Sequence, residues 1–449
     1  MKKLIPICIA VLTVAQGAWA YDIWSVDRCM AYAALRAGSV RKAKLDLENA
    51  NSDRDQSIAD FLPSVAASIG GQFSWGRNIN PETNTYNNIT NFGNSYGISA
   101  SLPLFDGGAT IYRFKQACTA VHRKCNNIRL QQDLTAIECM TAYFDALYYL
   151  KSIDIAADKL SQSQSVLALT RREEELGLKG LPDVAQAEAT TANDEYNLIQ
   201  QRNLHRQAMI KLRSVMNAEA DTHFDLDTVP PDMSGDISAF ALQDNPDIIC
   251  ETADLSNPKA VESRMSVKDA ELRYKQARAS LYPTISIDGG IYTSFYYTLS
   301  HGYTTSSFAD QFRNNRGEYI GATLSIPIFS NLRHTTSLRK ARTELARSRI
   351  EREEALRGLH DDIEAAVTDR NGYAAEIKAL ESKMKADELA YRLNLRKYEE
   401  GLTSLTDMQL SANTFFESRV TLLRKQLLYC IKQRLVNYYK GEELSNESF

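Results

Sequence analysis

The sequence predicts a mainly α chain with four β-strands, written as an internal two-fold repeat. Three observations carry that expectation. The phrase "FLPSVAASIGGQFSW" (61–75) returns 220 positions later as "LYPTISIDGGIYTSF" (281–295). A long stretch poor in Pro and Gly follows each copy. Both stretches end at matching turns, "LGLKGLPDVAQAE" (176–188) and "EGLTSLTDMQLSA" (400–412), which place Gly177 and Gly401, and Asp183 and Asp407, 224 residues apart.

The opening "MKKLIPICIAVLTVAQGAWA" joins two lysines to a short apolar core and Ala18-Trp19-Ala20, so residues 1–20 read as a secretory signal cut before Tyr21. Cys8 lies inside that apolar core, too early to be a lipid-attachment site. Without Lys2 and Lys3, 50 basic residues face 56 acids, a formal charge of about −6. Such a balance offers no basic face for nucleic acid. No later apolar run reaches the roughly 18 residues of a membrane-crossing helix, which excludes an inner-membrane transporter. The six remaining cysteines, Cys29, Cys118, Cys125, Cys139, Cys250 and Cys430, fit no zinc spacing and specify no disulfide pairing. With 44% apolar residues the chain can bury a large core.

The first repeat spans 21–216: a helix, a β-hairpin over about 64–104, and a long helical hairpin over about 108–216. No proline occurs between Pro103 and Pro182, and no glycine from Ala109 to Leu176. About 68 residues without a breaker can form one helix of roughly 100 Å. An Asp- and Pro-rich linker follows over 217–257. The second repeat, 258–440, has its hairpin at about 284–328 and its helical hairpin at about 332–440, before a polar tail at 441–449. From Asn331 to Glu400 only Gly358 and Gly372 interrupt, and Leu356, Leu359, Ile363 and Val367 form a narrow helical stripe.

Each strand, about 10 residues long, is apolar on one face. Val65, Ala67, Ile69, Phe73 and Trp75 alternate with Ser64, Ser68, Gln72 and Ser74, and Tyr96, Ile98, Ala100 and Leu102 with Gly97, Ser99 and Ser101. Ile285, Ile287 and Ile291, then Ile320, Ala322 and Leu324, repeat the pattern in the second half. That is the alternation of a transmembrane β-barrel wall, with lipid outside and water inside; a half-buried sheet in a soluble protein would share it. Aromatics stand at two levels, Trp75, Phe92, Tyr96 and Phe295 at one and Phe61, Phe105, Tyr282 and Phe329 at the other. The segments 77–95 and 298–317 read as long polar external loops. Four strands cannot close a barrel, which takes about eight or more, so copies of the chain must share one wall.

These residues resemble the TolC family of outer-membrane efflux proteins. The resemblance covers nearly all of the mature chain. It rests on the repeat, on "LPS" and "YPT" entering the hairpins, and on "LPLFDGG" and "IPIFSNL" leaving them. "NPKAVESRMSVKDAELRYKQARASLYP" (257–283) and "YEEGLTSLTDMQLSANTFFESRV" (398–420) add to it. It implies a homotrimer with a 12-stranded outer-membrane β-barrel, four strands per chain, continued by a periplasmic α-helical barrel with a mixed belt at 217–257. The implied function is a passive exit duct of a tripartite efflux pump or type I secretion system. Implied partners are a periplasmic adaptor (membrane fusion) protein, an inner-membrane transporter of the RND, ABC or MFS type, and outer-membrane lipid. No catalysis and no cofactor are expected.

The family's lumenal constriction maps to Asp407 and Tyr398, with Asp183 the repeat counterpart of Asp407. Here Thr403 stands where the family has an arginine, and Leu410 where it has a second aspartate. The adaptor-docking tip maps to Gly177, Leu178, Gly401, Leu402 and Thr403. Plainer chemistry also accounts for these residues. "SLTD" (404–407) is a capping box, Asp183 follows Pro182 in a first helical turn, the glycines suit tight reversals, and Tyr398 suits packing. "GNSYG" (93–97) opens a strand instead of joining strand to helix, so it is no nucleophile elbow. The histidines show no metal spacing. The competing class is a trimeric surface scaffold or adhesin with a plugged barrel.

Overall fold

In a computed structural model of the protein, residues 22–80, 84–219, 224–228, 244–300 and 304–444 are described. The expected signal peptide, much of the 217–257 linker and the end of the tail lie outside the described residues. In chain order the elements are β1 (Asp22–Trp24), α1 (Val26–Arg36), α2 (Gly38–Ala59), β2 (Ser64–Asn80), β3 (Thr85–Phe105), α3 (Ala109–Glu175) and α4 (Leu181–Met216). There follow β4 (Phe224–Leu226), α5 (Pro246–Ser256), α6 (Pro258–Ala279), β5 (Thr284–Thr298), α7 (Phe308–Asn314), β6 (Gly317–Ser325), α8 (Arg333–Glu399) and α9 (Leu405–Tyr439). The breaker-free stretches become α3 and α8, each 67 residues long. Gly358 and Gly372 sit inside α8 at about 1 kcal/mol each, too little to break so long a ladder.

The chain forms two compact units. One comprises Met1–Gly38, Gln132–Asn245 and Ala365–Phe449; the other Ser39–Gln131 and Pro246–Glu364. The second unit holds an antiparallel sheet in the order β2-β3-β5-β6. Its register lines up the apolar residues: Ala67 faces Ile98, Ile98 faces Ile291, and Leu102 faces Ile287, which faces Ala322. Residues directly opposite share a face, so all four strands present one apolar side. Val65, Ile69, Ile98, Ile320 and Leu324 are exposed on it. The other side carries Ser68, Ser99, Ser101, Ser286 and several glycines.

The strands are longer than expected in three cases, with 17, 21 and 15 residues in β2, β3 and β5, while β6 has 9. Segment 77–95 is therefore no long loop. Its residues extend the ladder to Asn80↔Thr85. The second expected loop contains α7. Ser307 starts it by accepting from the Asp310 amide at 3.2 Å, and the Ser307 hydroxyl donates to the Asp310 carboxylate at 2.6 Å. Phe308 and Phe312, one turn apart, pack on Tyr96 with centroids 6.2 and 5.5 Å away, and Phe308 on Phe295 at 5.2 Å. Those two rings of the expected aromatic belt are thus covered by the chain itself.

The α7 side chains also finish an edge. Beyond Tyr292 the short β6 no longer pairs with β5. Gln311 accepts from the Tyr296 amide at 3.0 Å and donates to the Tyr296 carbonyl at 2.9 Å, and Asn315 donates to the Ser294 carbonyl at 2.8 Å. Buried backbone groups need such partners, and two amide side chains stand in for a strand.

In the first unit, Cys29, Met30, Cys139, Met140, Phe144, Leu147, Leu212, Met216 and Cys430 form the main core cluster. β1 and β4 pair in parallel beside it, and Trp24 stacks on Phe224 at 4.9 Å. The Tyr143 hydroxyl lies 3.1 Å from the carbonyls of Trp24 and Asp227, pinning the linker to α3. Arg370 is fully buried and answered by Asp244, which Lys440 also pairs at 2.7 Å. Burial would raise the Asp244 carboxyl, but the bonds from Lys440 and Arg370 outweigh it and hold the group below the usual range.

All six described cysteines are free. Burial, helped by the Glu138 charge, pushes the Cys139 thiol up to about 12, and a thiol is a poor nucleophile in that state. Native protein treated with iodoacetamide near neutral pH should therefore keep Cys29, Cys139 and Cys430 unmodified, while unfolded protein should lose all six thiols; peptide mass spectrometry reads the difference.

Candidate functional site

The two turns that end α3 and α8 share their backbone hydrogen bonds at the 224-residue offset. The Gly177 and Leu178 amides donate to the Glu174 and Glu173 carbonyls, both at 2.8 Å. The Gly401 and Leu402 amides donate to the Tyr398 and Lys397 carbonyls at 3.0 and 2.7 Å. Each is a Schellman closure, which needs a left-handed residue, and the glycines supply φ of 72° and 70°. A Cβ at either would meet nothing within 4 Å, so the backbone angle, not crowding, is what requires glycine.

The N-caps of the next helices, Gly180 and Ser404, stand three residues on. The Ser404 side chain accepts from the Asp407 amide at 3.1 Å and donates to the Asp407 carboxylate at 2.7 Å. In the first turn Gly180 replaces that serine, and Asp183 accepts from the Gly180 amide at 3.3 Å. Both aspartates are therefore engaged as caps, where the helix dipole favours a negative charge. Asp407 is exposed, and Asp183 is half-buried.

Tyr398 has no exposed surface. It packs with Val166, Ala187, Tyr391, Leu405 and Met408, and its hydroxyl shares a 2.7 Å hydrogen bond with Thr170. The Lys179 ammonium lies 4.4 Å from the ring centre. Burial pushes the Tyr398 hydroxyl above the ordinary tyrosine value; the Thr170 bond works against this, and the Glu173 and Asp183 charges add to it. Thr170, Lys179 and Glu173 escaped the sequence reading because they lie on another helix or turn, and only the fold brings them to Tyr398.

Apolar side chains flank the turns. Leu178 and Leu402 are each 71% exposed and Leu181 is 73% exposed, whereas Leu405, the repeat counterpart of Leu181, is 4% exposed. Thr403 is half-buried beside Leu402. Among the described residues, no group of acidic, His or Cys side chains could hold a metal ion.

Long helical hairpins, each joined to a β-hairpin of one open sheet, have the fold of outer-membrane channel proteins. The structure of CusC, from a study of transmembrane channel formation, matches with a TM-score of 0.80 over 96% of both chains at 18% identity. VceC, an outer membrane protein of Vibrio cholerae, matches with a TM-score of 0.77 over 94% of this chain and 97% of that one at 15% identity. In sequence, the outer membrane efflux protein BepC of Brucella suis biovar 1 (strain 1330) is 24% identical over 376 residues, 80% of this chain and 77% of its own. Outer membrane protein TolC of Escherichia coli (strain K12) is 21% identical over 450 residues, 95% of this chain and 85% of its own. The profile described as outer membrane efflux protein matches residues 31–218 and 250–435. The chain belongs to that family.

Gly177→Ala and Gly401→Ala should each cost about 1–2 kcal/mol through the left-handed angle, and Ser404→Ala about 1 kcal/mol through the lost cap, all read as lowered melting temperature. Tyr398 adds a pH dependence. Its folded pKa is raised, so its contribution is whole below the unfolded value near 10 and is lost as pH rises through the folded value. Tyr398→Phe should flatten the alkaline fall of a melting-temperature profile and leave the neutral range little changed.

Proposed function

We propose that three copies of this chain close a 12-stranded barrel in the outer membrane and form a passive exit duct for an energised inner-membrane transporter. The observation that carries the reading is the sheet: one continuous apolar face, and outer strands β2 and β6 that each pair on a single side among the described strands. Neither edge can stay open in lipid, where unpaired backbone groups cost several kcal/mol each. Three four-stranded sheets joined edge to edge satisfy both.

The periplasmic partner is an adaptor protein seated on the two glycine turns. The exposed Leu178, Leu181 and Leu402 support this, since such apolar clusters favour contact with another protein. Asp407 faces solvent at one turn, and three copies would set three carboxylates around an opening that prefers cations. A relative named for protease secretion and one named for a toluene efflux pump are each 22% identical to this chain. We therefore assign cargo choice to the transporter, of the RND, ABC or MFS type, and not to the duct wall.

Conductance of the purified protein in planar bilayers tests the duct, with Asp407→Ala measured beside the wild type. Cation-preferring steps that lose preference in the variant are expected. Silence from both proteins would favour the plugged scaffold; conduction with unchanged preference would return Asp407 to a helix cap alone. Bulky substitution of Gly401 should abolish pump-dependent efflux in cells at normal trimer yield, and a matching drop in yield would point to turn geometry instead of docking.

A further inference from the structure

Four helices of the second unit follow one another as the strands do: α2, α3, α6, α8. Every neighbouring pair is stitched by ions. Between α2 and α3, Asp60 pairs with Arg113 at 2.7 Å and Asp46 with Lys124 at 2.9 Å. Between α3 and α6, Arg123 takes Glu262 at 2.5 Å and Asp269 at 3.7 Å. Between α6 and α8, Glu271 meets Arg349 at 3.5 Å and Lys259 meets Asp362 at 3.2 Å.

The row ends on α2 at one side and α8 at the other, and the parts of the two helices nearest the strands carry opposite surplus charge. Residues 46–60 hold five acids and one arginine; residues 333–352 hold seven Lys or Arg and two glutamates. Both distributions oppose the helix's own dipole, which disfavours anions near the C-terminus of α2 and cations near the N-terminus of α8. A counter-charge from outside the helix would offset each.

On α2, Glu48 and Asp55 lie two turns apart and are exposed. At 100° per residue they sit about 200° and 180° from Asp46, on the side turned from α3. On α8, Arg339 and Arg342 are exposed and outside the half-buried stripe of His334, Leu338, Ala341 and Leu345, with no ion pair among the described residues. Their depths also correspond. Asp55 is four residues before the end of α2, and Arg339 six after the start of α8. Glu48 is eleven before, and Arg342 nine after. At 1.5 Å per residue, each pair agrees to about 3 Å.

We propose that α2 of a second copy of this chain covers the outer face of α8, with Glu48 and Asp55 of one copy meeting Arg342 and Arg339 of the next. This ionic seam rests on the trimer reading, in which β6 of one copy pairs with β2 of the next and so brings these helices together. It repeats between copies the stitching found at the three contacts within the chain. Asp55, bonded at 2.8 Å by the adjacent exposed Arg54, would exchange or share that partner.

Light scattering on the full chain in detergent at low ionic strength tests the seam with four proteins: wild type, Arg339→Glu with Arg342→Glu, Glu48→Lys with Asp55→Lys, and all four changes together. Wild type should be trimeric, each double variant should lose most of its trimer, and the fourfold variant should regain it. Far-UV circular dichroism separates lost assembly from lost folding. Trimeric double variants would overturn the seam, as would a fourfold variant no better than either parent. A wild type that stays monomeric would remove the trimer reading itself, an outcome distinct from both.

Discussion

Backbone groups at a strand edge must find partners, and inside a bilayer water cannot supply them. Much of this structure answers to that requirement. Within the sheet, β2, β3, β5 and β6 satisfy one another through a register that lines up Ala67, Ile98 and Ile291, and Leu102, Ile287 and Ala322, on one side. Where β6 runs out, Gln311 and Asn315 bond the exposed groups of Tyr296 and Ser294. At the two outer edges, β2 and β6 each pair on one side only among the described strands. On the proposed trimer reading, another copy pairs them.

The helices below the sheet meet a related constraint with different means. A helix satisfies its own backbone, so neighbours need only side-chain contact, and α2, α3, α6 and α8 use exposed or half-exposed ion pairs for it. Such pairs contribute about 0–1 kcal/mol each. They act better as guides to which helix lies beside which than as a store of stability. The buried mass lies in the first unit, where Met140, Leu147, Leu212 and Met216 close a dense cluster and Arg370 is held by Asp244.

The sequence disclosed the elements whose signals are local. Missing prolines and glycines marked α3 and α8, and alternation marked the strands, because both depend on residues near in sequence. Segment 77–95 misled because its many Asn and Thr residues read as loop, yet they pair as strand through Asn80↔Thr85. The α7 helix left a signal: Ser307 with Asp310 three residues on could have been read as a cap, and Phe308 with Phe312 as an apolar stripe, but seven residues are shorter than periodicity can resolve. Tyr398 was legible as an aromatic near a turn that suits packing. Its partners were not, since Thr170 and Lys179 approach from 228 and 219 positions away.

The two glycine turns, 224 residues apart, share one part of their geometry and differ in another. Gly177 and Gly401 share φ, hydrogen bonds and an exposed leucine on the next residue, because a Schellman closure admits few alternatives. Three residues past each glycine the copies part. Ser404 caps α9 with its hydroxyl, whereas Gly180 leaves the first-turn bond to Asp183 alone. Leu405 is driven into the cluster around Tyr398, while Leu181 stays in solvent. One turn is thereby anchored to the core and the other keeps its apolar residue free. Leu178, Leu181 and Leu402 are left exposed, and it is on this exposure that the proposed adaptor contact rests.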